Sequence, residues 1–122
     1  MATIFTKIIN GEIPAYKIDE NDKYLAFLDI NPIAMGHVLV IPKREVDYIF
    51  NLEDEELAGL MAFSKQISKA LIQAVPCKRI GVTVIGLEVP HTHIHLVPIN
   101  NVDDMNFGKP KLKLTNEQLE LI

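Results

Sequence analysis

The chain has 122 residues, of which 48% are hydrophobic and 23% are charged, as expected for one globular domain. Its net charge of −4 argues against non-specific binding to nucleic acid, which needs a basic surface. The one cysteine, Cys77, excludes a disulfide within the chain and indicates a reducing compartment, and no apolar stretch approaches the length of a membrane span. We therefore predict one domain at 1–122, a cytoplasmic location, no nucleic-acid partner and no membrane association.

The first predicted element is a short helix over residues 3–10. Ile4, Phe5, Ile8 and Ile9 follow helical spacing, and Gly11 is a typical residue after the end of a helix. This helix presents one apolar face, which predicts that it covers part of the core.

Alternating patterns predict three strands next, at residues 16–19, 24–29 and 37–41. A polar turn at 20–23 joins the first two, and a turn with Asn31-Pro32 and Met35-Gly36 precedes the third. Residues 79–85 predict a fourth strand, and Gly86 begins the turn that leads to a fifth.

The strongest helical pattern follows Asn51, which we predict to be the N-cap, and has acidic residues in its first turn at 53–56. One apolar stripe runs to Pro76 through Leu57, Leu60, Met61, Ser64, Ile67, Leu71 and Val75. Thr115 and Gln118 have the spacing of a capping box, which predicts a further helix start. Three strands, a helix and two strands indicate an α+β domain built on an antiparallel sheet.

The predicted fifth strand carries His91, His93 and His95 at alternate positions, with apolar or β-branched spacers. Side chains alternate faces along a strand, so the three imidazoles are predicted to share one side, about 6.6 Å apart. Buried histidines without function, a metal site and nucleophilic catalysis by a neutral imidazole are the three interpretations. The row alone does not decide between the last two. The first is the weakest, because up to six ring nitrogens would need partners.

Four stretches in matching order resemble the histidine triad family, in its Hint-like branch. They are residues 3–15 (TIFTKIINGEIPA), 26–32 (AFLDINP), 36–43 (GHVLVIPK) and 89–97 (VPHTHIHLV). The resemblance implies a five-stranded antiparallel sheet with one long helix and a short N-terminal helix. It also implies a core at about 3–98 with a C-terminal tail at 99–122, and a homodimer.

The resemblance further implies hydrolysis or transfer of a purine nucleotide at its α-phosphate. The leaving group stays open between a phosphoramidate, a dinucleoside polyphosphate and an acyl adenylate. His93 would be the nucleophile that forms a nucleotidyl-histidine intermediate, His91 would orient it through its backbone carbonyl, and His95 and His37 would bind the phosphate. The base and ribose site would be formed by Ile4, Phe5, Ile8, Phe27 and Ile30, with Asp29 on the ribose hydroxyls.

Two departures from the family pattern affect these expectations. Thr3, Thr6 and Glu45 stand where some members have zinc-binding cysteines and a histidine, so we expect no structural zinc and no cofactor. The loop at 83–88 is shorter than usual, with Leu87 in place of a hydrogen-bonding Gln. We still include Thr83, Gly86 and Glu88 among the nucleotide-binding candidates, since backbone N–H groups of this loop can bind phosphate.

The altered loop leaves two alternatives to the enzyme. One is a nucleotide-binding sensor or scaffold with weakened catalysis, and the other is a metal-dependent hydrolase. Neighbouring imidazoles in one pocket disfavour full ionisation, so the sequence predicts a mixture of neutral and protonated histidines near neutral pH.

Overall fold

Five strands form one antiparallel sheet in the computed structural model, which describes residues 2–120. The sheet order is β1-β2-β3-β5-β4, so the last strand in sequence lies inside and β4 is an edge. The predicted α+β fold with a five-stranded antiparallel sheet is confirmed. The strands are β1 (Lys17–Glu20), β2 (Tyr24–Leu28), β3 (Val38–Pro42), β4 (Arg79–Thr83) and β5 (Ile94–Ile99).

Three α-helices complete the described fold: α1 (Ile4–Ile9), α2 (Asp54–Ala74) and α3 (Asn116–Glu120). Thr3 caps α1 by accepting a hydrogen bond from the Thr6 backbone N–H, and Gly11 follows the helix with a φ of 79°. The predicted short N-terminal helix is therefore present. No helix in residues 2–120 is long and apolar enough to cross a membrane.

The long helix begins later than predicted. Ile49–Asn51 form a 3-10 turn, and the N-cap of α2 is Glu53 in place of Asn51. Its buried face also differs, because Met61 is 46% exposed while Phe63 packs in the core. The predicted apolar stripe included Met61, which lies on a side of α2 that the sheet does not cover. The sheet covers the side of the helix that carries Phe63.

Helix α2 covers one face of the sheet. Tyr24 and Phe63 pack ring against ring at 5.8 Å, and Ile94 and Leu96 of β5 lie in the same cluster. Burial of this apolar area is the main stabilising contribution to the fold. Leu119 of α3 joins the cluster, so tertiary packing supports a helix too short to be stable by itself.

The predicted capping box at the start of α3 is present. The Gln118 N–H donates to Thr115 Oγ1 at 3.1 Å, and the Thr115 N–H donates to Gln118 Oε1 at 2.8 Å. The part of the predicted tail that the structure describes therefore folds onto the domain. Residues 121 and 122 lie outside the described residues.

A second apolar cluster lies on the opposite face of the sheet. Phe5 and Ile8 of α1 pack against Leu25, Phe27, Leu39 and Ile41 of β2 and β3. Strands β2 and β3 are buried along their whole length, because α2 covers one face of the sheet and α1 covers the other. Leu39 pairs with His95 across the sheet, so the α1 side is also the side of the histidines.

Candidate active site

The histidine segment is only partly a strand. Strand β5 begins at Ile94, and His91 and His93 lie in the segment before it. The alternation of side chains nevertheless holds, since Ile94 and Leu96 enter the α2 core while the rings of His93 and His95 lie 4.9 Å apart on the other side. His91 is fully buried and does not line the cavity, so the three imidazoles do not act on one ligand as the row suggested.

A cavity of about 400 Å³ opens beside these rings. One end is apolar, and the other end carries His37, His93 and His95. Such a volume and such a division between apolar wall and few polar groups are typical of a small-molecule site. Its lining contains these predicted residues: Ile4, Phe5, Ile8, Phe27, Asp29, Ile30, His37, Gly86, Glu88, His93 and His95.

Two predicted residues do not reach the cavity. Thr83 is the last residue of β4 and pairs through its backbone with His95, and it is absent from the lining. His91 is enclosed by the α1 side of the sheet, with the ring of Phe5 at 5.8 Å. The fully buried His91 therefore acts on the cavity only through its backbone, whereas the half-buried Thr83 lies on the histidine face of the sheet outside the cavity lining.

Backbone carbonyls fix the protonation of two imidazoles. His91 Nε2 lies 2.8 Å from the Pro42 carbonyl oxygen, which only accepts, so this nitrogen carries the hydrogen. His93 Nδ1 lies 2.7 Å from the His91 carbonyl oxygen, so Nδ1 is its donor. In neutral His93 the lone pair is therefore on Nε2. This is the tautomer that a nucleophilic imidazole at this position requires.

A second chain of hydrogen bonds runs through His37 and His95. The Ile33 backbone N–H donates to His37 Nδ1 at 3.2 Å, which places the hydrogen of neutral His37 on Nε2. His37 Nε2 then donates to His95 Nδ1 at 2.9 Å, which leaves the Nε2 of neutral His95 as an N–H donor. Adjacent His93 and His95 thus differ in tautomer, one with a free lone pair at Nε2 and the other with a donor there.

Burial keeps His37, His91 and His95 neutral in the ligand-free protein. Desolvation, followed by the charge of Lys111, lowers the pKa of His37 to about 4. Desolvation and the neighbouring His37 lower the pKa of His95 to about 3, and desolvation also lowers the pKa of His91. The expected mixture of charge states is therefore absent for these three at neutral pH. A difference in tautomer, fixed by the backbone, takes its place.

The lowered pKa values predict how stability depends on pH. An unfolded histidine binds a proton below about 6.5, whereas folded His37 resists protonation down to about 4. The unfolded state therefore binds more protons in this window, and the free energy of unfolding must fall as pH decreases from 6.5 to 4. The expected loss is on the order of 3 kcal/mol for His37.

Urea unfolding between pH 8 and pH 4.5 measures this effect. We expect a plateau above pH 7 and a decline below 6.5. Hydrogen-bond partners lower the pKa of the Glu45 and Glu56 carboxyls from 4.5, so these groups lose their stabilising contribution only as pH falls from about 4.5 downwards, and the decline between pH 6.5 and 5 is left to the histidines. A free energy of unfolding that stays constant down to pH 5 would contradict the neutral, buried histidine pair.

Thr3, Thr6, Glu45 and His91 form a hydrogen-bonded cluster. Thr6 Oγ1 and the Thr3 N–H donate to Glu45 Oε1 at 2.6 and 2.9 Å. Thr3 Oγ1 lies 3.0 Å from His91 Nδ1, the acceptor nitrogen of that ring, and therefore donates to it. These are the positions at which the resemblance implies zinc in other members. Hydroxyl groups that already bond the carboxylate and the imidazole do not fit a zinc ion, which prefers thiolate and imidazole ligands.

The fold brings an acidic residue to the histidine pair. Asp29 Oδ2 lies 3.7 Å from His37 Nε2, and ligand atoms of Asp29, His37 and His95 all lie within 4.8 Å of one another. The sequence showed no acidic partner for a metal ion in the histidine row, because Asp29 precedes the row by more than sixty positions. His37 Nε2 already forms a hydrogen bond with His95 Nδ1, so a metal ion bound through that nitrogen of His37 would have to break this bond.

Two residues at the histidine end of the cavity were not predicted from the sequence. The ring of Phe107 lies 4.7 Å from the His95 ring and 5.7 Å from the His37 ring, and Lys111 lines the same end. Both come from the C-terminal tail at 99–122, for which no site residue was predicted. The signal available there was a single aromatic residue among polar and basic ones, which does not by itself indicate a site.

Fold and site together define an α+β domain with a largely apolar cavity lined by His37, His93 and His95, whose ring nitrogens have fixed hydrogen-bond partners. The HIT domain family model matches residues 10–102. An uncharacterized HIT-like protein of Borreliella burgdorferi is 39% identical over 96% of this chain and 90% of its own length. Adenosine 5'-monophosphoramidase hnt1 of Schizosaccharomyces pombe is 32% identical over 100% of this chain and 93% of its own length.

The structural comparison agrees. A zinc-bound histidine triad family protein from Mycobacterium smegmatis matches with a TM-score of 0.84 at 29% identity, over 99% of this chain and 90% of that one. The chain belongs to the histidine triad family.

Proposed function

We propose that the protein hydrolyses, or transfers, purine nucleotide derivatives at their α-phosphate through a nucleotidyl-histidine intermediate on His93. The observation that carries this proposal is the hydrogen bond from His93 Nδ1 to the His91 carbonyl oxygen. This bond places the ring hydrogen on Nδ1 and leaves the lone pair on Nε2, the nitrogen that can act as the nucleophile beside the cavity. The His91 carbonyl oxygen lies where it can orient the His93 ring, which is the role that the family resemblance implies for it.

The proposed reaction has two displacements. His93 Nε2 forms a bond to phosphorus while the bond from phosphorus to the leaving group breaks. The charge of the bound phosphate raises the pKa of the His37–His95 pair, which takes up a proton with the substrate and delivers it to the leaving atom. Water then attacks phosphorus, returns a proton to the pair, and releases the nucleoside monophosphate and free His93.

The cavity supports a nucleotide as substrate. Phe5 and Phe27 pack edge to face at 5.6 Å in its apolar wall, which suits a flat purine base, and Asp29 lines the same cavity with its Oδ2 3.7 Å from His37 Nε2. The fission yeast relative is named an adenosine 5'-monophosphoramidase, so an adenosine phosphoramidate is the first substrate to test.

The experiment incubates the protein with adenosine 5'-monophosphoramidate, follows the release of AMP, and measures the intact mass after an acid quench. Turnover with a transient adduct on His93 supports the proposal. Binding without turnover or adduct would instead favour the sensor or scaffold. Lack of binding by AMP and by the phosphoramidate would contradict both.

A metal-dependent hydrolase is the second candidate, and the cluster of Asp29, His37 and His95 is the observation that favours it. That candidate requires a stoichiometric metal by elemental analysis and loss of activity with a chelator. Activity that persists in excess chelator would contradict this candidate and favour the metal-free mechanism.

Asp29→Ala tests the ribose site. Asp29 Oδ1 accepts the Asn31 N–H at 2.8 Å, which fixes the orientation of the carboxylate at the cavity. A charged acceptor of ribose hydroxyls contributes roughly 1.5–3 kcal/mol, so AMP affinity should fall about tenfold or more. Calorimetric titration with AMP measures this loss.

A ligand without ribose hydroxyls gives the matched control. The wild type should bind AMP more tightly than 2',3'-dideoxy-AMP, and Asp29→Ala should remove that difference. Equal losses for both nucleotides would show that Asp29 acts through the fold and not through the ribose.

We further propose a homodimer located in the cytoplasm. The free Cys77 supports a reducing compartment.

Exposed apolar residues support the homodimer. Edge strand β4 exposes Val82, and helix α2 exposes Met61 and Ile72, which supports an association surface. Light scattering at micromolar concentration should give about twice the chain mass, and Val82→Lys should shift it towards the monomer. A wild-type monomer would rule the dimer out.

A further inference from the structure

Residues 100–112, here called the C-terminal strap, run past the histidine end of the cavity and are held at both ends. Asn101 and Asp104 form a reciprocal capping box around a 3-10 turn at Val102–Met105. Met105 lies over Gly81 of β4 so closely that a Cβ at Gly81 would be 2.7 Å from its sulfur. Further along, the Leu112 N–H donates to the Pro32 carbonyl oxygen at 2.8 Å. The strap is therefore a fixed part of the site.

The strap places an aromatic ring and a cation together. The Phe107 ring packs edge to face against both His37 and His95. Lys111 Nζ lies 5.5 Å from the centre of that ring and donates to the Phe107 carbonyl oxygen at 2.7 Å. An ammonium group has three donor hydrogens, so two remain for a ligand.

The other charged side chains that line the cavity do not attract an anion to the ligand-free protein. Asp29 and Glu88 line the cavity as carboxylates and repel a phosphate. Desolvation lowers the pKa of His37 to about 4 and that of His95 to about 3, so neither offers a positive charge to an incoming ligand at neutral pH. Within the described residues, Lys111 is the one Lys or Arg that lines the cavity.

We propose that Lys111 is a phosphate-binding residue, and that the strap holds it at the histidine end of the cavity to receive the negative charge of the nucleotide. This inference rests on the proposed function, because it assigns the charge recognition of that same site. The consequence is selectivity. Lys111 favours nucleotides over nucleosides, and the affinity for AMP decreases with salt more strongly than the affinity for adenosine.

Other lysines of the same region provide controls. Lys109 forms an ion pair with Asp103 in the strap. Lys113 follows Lys111 by two positions, is exposed and does not line the cavity. Lys113→Gln therefore removes the same charge from the same surface without touching the proposed contact. Lys111→Arg keeps the charge, and Lys111→Gln removes it with little change in length.

The experiment measures the affinity of AMP and of adenosine by calorimetry for the wild type and these three variants. We expect Lys111→Gln to weaken AMP about tenfold and to leave adenosine within about twofold. Lys111→Arg should retain most of the AMP affinity, and Lys113→Gln should match the wild type for both ligands. Far-ultraviolet circular dichroism confirms that the variants fold, as expected for an exposed side chain.

Undiminished AMP affinity in Lys111→Gln, or an equal loss for AMP and adenosine, would overturn the inference while leaving the proposed function intact. An equal loss of AMP affinity in Lys113→Gln would also overturn it, because the effect would then be general surface charge. A wild-type protein that binds neither AMP nor its phosphoramidate would overturn the proposed function first, and the assignment of Lys111 with it.

Discussion

His93→Asn should abolish turnover of adenosine 5'-monophosphoramidate and eliminate the covalent adduct. The amide of Asn can still donate to the His91 carbonyl oxygen, but it offers no nucleophilic nitrogen in place of Nε2. We expect the rate to fall by at least about a thousandfold, because the covalent route is lost altogether. Steady-state assays and intact mass after an acid quench measure the two losses.

The other histidines provide the comparison. His95→Asn and His37→Asn should slow the reaction by smaller factors, because they remove proton delivery and leave the nucleophile in place. The Phe5 ring lies 5.0 Å from the His93 ring, so thermal unfolding must show that the variant retains its fold. Substantial activity in a folded His93→Asn protein, or an adduct on His91 or His95, would make this mechanism wrong.

Gly36→Ala should destabilise the protein by about 2–5 kcal/mol. Gly36 has a φ of 83°, a conformation in which a Cβ costs roughly 1–2 kcal/mol. The added methyl group would also lie 2.8 Å from Val75 Cγ2 and 3.2 Å from Pro98 Cγ, and such overpacking costs about 1–3 kcal/mol. Urea unfolding measures the total.

Gly11→Ala separates the two contributions. Gly11 has a similar φ of 79°, but a Cβ there meets nothing within 4 Å. Its loss should be about 1 kcal/mol, from backbone strain alone. The difference between the two variants measures the packing beside His37. Equal losses would show that Val75 and Pro98 move aside without cost.

Much of this fold follows from local pattern. Helix α1, the start of α3 and the antiparallel sheet were predicted because spacing, caps and turns are properties of neighbouring residues. The same patterns misplaced the start of α2 and its buried face. Asn51 is a good capping residue in isolation, but the chain forms a 3-10 turn there. Met61 has the right spacing and lies beyond the edge of what the sheet covers.

The candidate site was likewise predicted only in part from the sequence. Alternation along the chain predicted that His93 and His95 share a side, and the resemblance indicated His37, Asp29 and the apolar wall. Most of these residues do line one cavity. His91 and Thr83 do not, and the ring of His91 is excluded because other segments bury it fully, which the sequence pattern does not reveal.

The sequence by itself determined which imidazoles alternate along the segment and which family the chain resembles. Only the tertiary structure decided the tautomers of His91 and His37, because the carbonyl of Pro42 and the N–H of Ile33 reach these rings through strand register and a loop. It also decided that Lys111 stands at the cavity, through a strap anchored to Pro32. Spacing is local, whereas hydrogen-bond partners and burial depend on segments far apart in the chain, and the chemistry of this site depends on both.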